Sequence, residues 1–270
     1  MKIACFQSDV VFGDPEANAN HAIECLHAAK ADGVDLAVFP EAFLTGYCVD
    51  SFERASAISI EQNHTSLLAL QATCDELDIL CIVGFAERDG KFLHNSAALI
   101  EPNTEARYYR KTHLPELGLD KYVVPGRELP VFETRLGRIG IIICFDSRIP
   151  EATRVLALAG AQLVVLPTNW PTGADVTADH ICITRAAENR IFFATCDRVG
   201  TENGFSFIGK SKIIGVTGKV LASAGSGEEC IMAEIDLAEA DCKRTVSITG
   251  KYETELFATR NPKLYKTISE

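Results

Sequence analysis

Three reactive side chains in this sequence stand at the ends of strand-like runs, a position in which α/β folds place their sites. Glu41 follows Leu36-Ala-Val-Phe-Pro40, and Pro40 ends the ladder because it has no N–H to donate. Cys144 follows Ile139-Gly-Ile-Ile-Ile143 and precedes Phe145-Asp-Ser-Arg-Ile-Pro-Glu151, where Pro150 suits the first turn of a helix. A thiol in that connection reaches solvent and has its thiolate favoured by helix N-terminal amides, while the next backbone N–H can face an oxyanion. Lys111 lies in Tyr108-Tyr-Arg-Lys-Thr-His-Leu-Pro115, where a strand turns polar. Beside a thiolate, an ammonium lowers the thiol pKa and binds the oxyanion of a tetrahedral intermediate. Singly, each has a plain structural reading: a capping carboxylate, a small core thiol, a solvated charge. Together they are far more specific than any one alone, and they suit cysteine nucleophilic chemistry.

The elements that must carry these residues alternate between short β-branched runs and helical stretches, the pattern of parallel sheet covered by helices. The pattern predicts strands at Lys2 to Gln7, Leu36 to Phe39, Leu80 to Phe85, Ala97 to Ile100 and Ile139 to Ile143. Further strands are expected at Leu163 to Leu166, Ile191 to Thr195, Ser211 to Ile214 and Ile231 to Ile235. Helices are expected at Ala17 to Ala31, Ser59 to Asp78, Pro150 to Ala159 and Ala178 to Asn189, with turns at Asp89-Gly90 and Thr217-Gly218. A faint repeat sets Gly33-Val-Asp-Leu-Ala-Val-Phe-Pro-Glu41 against Gly160-Ala-Gln-Leu-Val-Val-Leu-Pro-Thr168. It implies two similar halves, two packed sheets with helices outside, and strand ends that bring Glu41 and Cys144 together.

Composition narrows the partners. The 270 residues contain no linker, 47% are hydrophobic and the formal charge is −11, with no dense Lys/Arg stripe to neutralise phosphates. Nucleic acid and anionic membrane are therefore poor partners, no apolar run is long enough to span a bilayer, and a small organic substrate fits better. The N-terminus enters a strand pattern without a signal-peptide h-region. Ten cysteines are spread singly, with neither CxxC pairs nor zinc-ligand spacing, so a reducing compartment, the cytoplasm, is expected.

The motifs around the three residues resemble the nitrilase superfamily of carbon-nitrogen hydrolases, whose Glu-Lys-Cys triad occupies these contexts. The likeness rests on Phe39-Pro-Glu41-Ala-Phe-Leu-Thr-Gly-Tyr47, Tyr109-Arg-Lys111-Thr-His-Leu-Pro115 and Ile143-Cys144-Phe-Asp-Ser-Arg-Ile-Pro-Glu151. It extends through Leu166-Pro-Thr-Asn169-Trp170-Pro171, Arg185-Ala-Ala-Glu188-Asn189 and Phe207-Ile-Gly209-Lys-Ser211, in the family's order. It implies an αββα four-layer sandwich and a thioester mechanism needing no metal or organic cofactor. Glu41 would serve as base and acid, with Lys111 and the Phe145 N–H on the oxyanion. Many members carry a second glutamate after the lysine; here Asp120 is nearer the expected spacing and Glu116 has the expected chemistry, and both stay open. Phe145-Asp146 stands where true nitrilases usually show Trp-Glu, which favours a linear amide or N-carbamoyl substrate over a nitrile. Tyr47, Asn169 and Trp170 are candidates for lining the pocket.

Three rival readings remain at this level: a histidine base at His113 or His180, an acyltransferase using the same thioester, and an idle metabolite-binding scaffold. Cys5-Phe-Gln-Ser8 echoes Cys144-Phe-Asp-Ser147, but no helix start follows it, so Cys5 reads as a core thiol. Arg148 could clamp a carboxylate, although Asp146 or Glu151 offers a nearer partner. The expected organisation is a hydrolase domain over residues 1–240 and an extension over 241–270. Ile248, Tyr252, Leu256, Phe257, Leu264, Tyr265 and Ile268 in that extension call for a dry surface, expected on a second subunit of a homodimer.

Overall fold

Strand β1 (Lys2–Gln7) shows the logic of the architecture, because it is buried on both faces. Ile3 and Cys5 join one apolar layer and Ala4 and Phe6 another, as the two-residue period of a strand requires. The computed structural model describes residues 1–269. After β1 come α1 (Pro15–Ala31), β2 (Leu36–Val38), α2 (Phe52–Ile58), α3 (Thr65–Leu77), β3 (Leu80–Asp89), β4 (Phe92–Ile100) and β5 (Arg107–Arg110). The second half runs through β6 (Val131–Thr134), β7 (Gly137–Ile141), α4 (Pro150–Leu158), β8 (Leu163–Thr168), α5 (Cys182–Asn189) and β9 (Phe192–Asp197). A small hairpin, β10 (Thr201–Glu202) and β11 (Phe205–Ser206), precedes β12 (Lys212–Ile214), β13 (Val220–Ser223) and β14 (Glu229–Glu234).

Two six-stranded sheets result, ordered β14-β1-β2-β3-β4-β5 and β13-β12-β9-β8-β7-β6. Each is parallel at its centre, β1-β2-β3 and β7-β8-β9, and antiparallel at its flanks. Between the sheets Ile3, Cys5, Val38, Ile82 and Leu99 meet Ile139, Ile141 and Val165 in one core. On the outer face of the first sheet Ala4, Ala37, Cys81 and Ala98 pack under Ala22 and Leu26 of α1 and Leu70 of α3. Leu156 of α4 and Cys182 and Ala186 of α5 join the core of the second. The architecture is the expected αββα sandwich, and the repeated segments form β2 and β8, the centre of each parallel trio.

The expected helix from Ser59 is shorter than its pattern. Ile60 forms a parallel bridge to Glu87, and the helix starts only where His64 Nδ1 accepts from the Ser66 N–H. The expected helix from Ala178 opens with a π turn, Thr177–Ile181, before α5 begins. Beyond Asp241 the chain forms the hairpin β15 (Arg244–Ile248) and β16 (Tyr252–Glu255) and short 3₁₀ turns. Ile248, Tyr252, Leu264 and Ile268 are 50–74% exposed there, whereas Phe257 is half-buried against the core, beneath Arg154 and Lys243.

Candidate active site

The turn after β2 places Glu41 against β3. The Gly84 N–H donates to the Pro40 carbonyl at 3.2 Å and the Leu44 N–H to the Gly84 carbonyl at 3.0 Å. Only glycine permits this approach: a Cβ on residue 84 would lie 2.5 Å from the Ala42 nitrogen and 2.8 Å from Glu41 Cα. Lys111 follows β5 directly, its N–H bonded to the Asn95 carbonyl on β4. Its Nζ donates to Glu41 Oε1 at 2.8 Å and Asp120 Oδ2 at 2.6 Å, with all three side chains buried. Asn95 Nδ2 closes the ring, donating to Glu41 Oε1 at 2.7 Å and Asp120 Oδ1 at 2.8 Å. The Tyr47 hydroxyl donates to Asp120 Oδ2 at 2.8 Å.

Cys144 approaches from the other sheet, at the tight turn between β7 and α4. Its φ of 44° lies in the left-handed region that non-glycine residues seldom adopt. The buried Asp146 carboxylate holds this turn, accepting from the Ile143 N–H at 2.9 Å. It also accepts from the Tyr109 hydroxyl at 2.7 Å, Thr112 Oγ1 at 3.1 Å and the His113 N–H at 2.9 Å, and His113 Nδ1 lies 2.7 Å away. One carboxylate thus ties the segment around Lys111 to the turn carrying the thiol.

Burial and then the Glu41 charge push the Cys144 thiol well up, against Lys111, Thr168 and the Asn169 backbone, which favour its thiolate. Burial likewise raises Glu41, with Lys111 opposing and Asp120 reinforcing the rise. Burial works against the Lys111 ammonium, but Asp120, Glu41 and Cys144 outweigh it and hold its pKa well above the usual lysine value. One cation facing two carboxylates leaves excess negative charge out of water, which favours a protonated Glu41.

The other sequence candidates separate by position. Asp120 sits inside the ring, whereas Glu116 is exposed and outside it. Phe145 is half-buried in the turn after the thiol. Asn169 and Trp170 are buried just past β8; both side-chain polar atoms of Asn169 lack a partner, and the Trp170 N–H donates to Asp197 Oδ1 at 2.7 Å. Burial pushes the Asp197 carboxyl well above its ordinary range. Tyr47 is held by Glu202, which accepts from the Tyr47 and Cys48 N–H groups and pairs with the buried Arg198 at 2.6 Å. His113 is committed to Asp146, His180 is exposed, Cys5 is fully buried, and Arg148 is exposed without an ion-pair partner among the described residues. The spacing of reactive residues gave no sign of Asn95, Asp197 or Glu202; the only signal was a polar side chain within or just after an apolar run. Among the described residues, no three His, Cys, Asp or Glu side chains are grouped to hold a metal ion. A surface groove of about 630 Å³ over Tyr108, Arg110 and Val124 includes none of Glu41, Lys111 or Cys144 in its lining.

With this geometry in hand, comparison with known proteins is decisive: residues 2–244 match the carbon-nitrogen hydrolase family model. The chain belongs to the carbon-nitrogen hydrolase family. A nitrilase from Pyrococcus abyssi is 35% identical over 242 residues, covering 88% of this chain and 90% of that protein. An (R)-stereoselective amidase from Pseudomonas is 31% identical over 247 residues, covering 90% and 88%. An amidase structure from Nesterenkonia shares the fold, with a TM-score of 0.85 at 24% identity over 99% of this chain and 96% of that one. As a carbon-nitrogen hydrolase with a cysteine beside a buried Glu–Lys pair, this protein hydrolyses C–N bonds through a cysteine nucleophile.

Proposed function

We propose that this carbon-nitrogen hydrolase cleaves a linear amide, with an N-carbamoyl group as the neighbouring alternative, through a thioester on Cys144. The observation that carries the reading is the buried Glu41–Lys111–Asp120 cluster within electrostatic reach of the thiol. Glu41 Oε2, buried and without a hydrogen-bond partner, takes the thiol proton. The sulfur then bonds the carbonyl carbon, and the oxyanion is met by Lys111 and the Phe145 N–H. Collapse breaks the C–N bond as Glu41 returns the proton to the departing amine. Water, deprotonated by the same carboxylate, attacks the thioester; the acid leaves and Glu41 reprotonates the sulfur. Asp120, rather than Glu116, is the second carboxylate, keeping Lys111 charged. Tyr47, Asn169 and Trp170 line the acyl pocket; the two unpartnered amide atoms of Asn169 suit a polar substrate.

An amide is favoured over a nitrile by Phe145-Asp146 in place of Trp-Glu, and here Asp146 is fully occupied in holding the turn. The family relatives carry names of both kinds, so the substrate test must include both. Ammonia release is expected from linear amides or N-carbamoyl compounds; turnover of nitriles alone would overturn the assignment. Cys144→Ala should abolish turnover with folding intact, and Glu41→Gln should lower kcat/KM by about 100-fold or more. Ten cysteines, all unpaired, support a cytoplasmic setting. The exposed apolar side chains after Asp241 support a hydrolase domain over residues 1–240 whose extension packs on a second copy.

A further inference from the structure

Asn95 is the neutral member of the buried ring, and its donors are both committed. It lies on β4 on the face that Ala97 and Leu99 turn toward the other sheet, with 1% of its surface exposed. The orientation of its amide follows from chemistry, since two carboxylates can only accept when ionised and an amide oxygen turned toward them would be repelled. Glu41 Oε1 therefore receives two donors, Lys111 Nζ at 2.8 Å and Asn95 Nδ2 at 2.7 Å, while Oε2 is buried with no partner. On Asp120 both oxygens are occupied, Oδ1 by Asn95 and Oδ2 by Lys111 and Tyr47.

We propose that Asn95 is a positioning residue that confines the travelling proton to Glu41 Oε2 and keeps Asp120 out of the relay. The inference rests on Glu41 acting as base and acid, as argued above. A proton on Oε1 would point at two donor hydrogens; a proton on Oε2 meets none. Asn95 thus makes two chemically similar carboxylates different: one has a free oxygen for the thiol and the leaving amine, the other has none. Being neutral, it does this without adding to the negative charge of the cluster.

The test compares wild type, Asn95→Ala and Asn95→Asp by the rate at which iodoacetamide alkylates Cys144, followed across pH by the mass of the peptide that carries it, since Cys230 and Cys242 are exposed thiols too, alongside kcat and KM for an accepted amide. Losing the donor that favours ionised Glu41 should move the acidic limb of both profiles upward by about one pH unit and cut the rate below that limb about tenfold. KM should change less than kcat. Asn95→Asp, of nearly the same shape, should move the limb in the same direction and carries the test if the alanine variant does not fold. Limbs unmoved in variants that melt like wild type would overturn the proposal, as would slower turnover at an unmoved limb. A Glu41→Gln protein alkylated as fast as wild type at every pH would instead show that the base assignment itself is wrong.

Discussion

At the scale of single residues, the site is a problem in placing one excess negative charge. Lys111 can neutralise only one of the two carboxylates it touches, and both are buried, so Glu41 holds a proton more readily than a solvated glutamate does. Removing the second carboxylate leaves burial in place but takes away its contribution to that pressure. Asp120→Asn should therefore lower kcat/KM by about 100-fold, in the range of a misplaced acid–base group. Glu116→Gln, a change at an exposed carboxylate outside the ring, should stay within about twofold. Steady-state kinetics on both variants decides between the two candidates, and equal losses would mean that the ring around Lys111 is not what supports turnover. From sequence the pair could not be separated, because both lie in a loop and neither apolar period nor capping pattern tells which one turns inward.

Secondary-structure elements carry the next level of control, above all the tie between the Lys111 segment and the nucleophile turn. Asp146, through its hydrogen bond, raises the pKa of His113 above the ordinary 6.5, with burial opposing. The folded value lies above the unfolded one, so this stabilisation is full below pH 6.5 and is lost as pH rises through the elevated folded value. The difference in Tm between the protein and its His113→Ala variant should be largest below pH 6.5 and shrink above it. A difference independent of pH would mean that Asp146 holds a neutral ring. The elements themselves were legible where burial is two-sided: the runs at Lys2, Leu163 and Phe192 are nearly unbroken apolar stretches and became β1, β8 and β9. Strand β5 was legible only as the strand that turns polar before Lys111, without bounds, and β6 was not marked, since Arg107-Tyr-Tyr-Arg110 and Val131-Phe-Glu-Thr134 are short, partly charged edges whose pairing is set by β4 and β7. Strand β3 outran its pattern for a related reason: Glu87, Arg88 and Asp89 are paired across to His94, Leu93 and Phe92. Asn95 was illegible as a site residue because its role exists only once β4 lies between Glu41 and the loop of Asp120.

For the molecule as a whole, the site draws on both halves: Glu41, Asn95 and Lys111 come from the first sheet and its loops, and Cys144 from the second. The outer rim is less complete. Ile248 and Tyr252 on the hairpin and Leu264 and Ile268 beyond it leave apolar surface in water that a second copy would cover. Sedimentation should give a dimer for the full chain at micromolar concentration and a monomer for a chain ending at Asp241. A monomeric full chain would refute the assembly.

The pairing of β1 with β14 has a consequence in time. Lys2 lies opposite Glu234 and Gln7 opposite Glu229, so β1 is synthesised long before the strand that pairs with its outer side. At about 5–20 residues per second, that edge stays open for about ten to fifty seconds. During the interval β1 can pair with β2 on one side while its other side offers a bare row of N–H and C=O groups to any neighbouring nascent chain. Substitutions in β14 should therefore reduce the yield of soluble protein before they register in the melting of molecules that did fold.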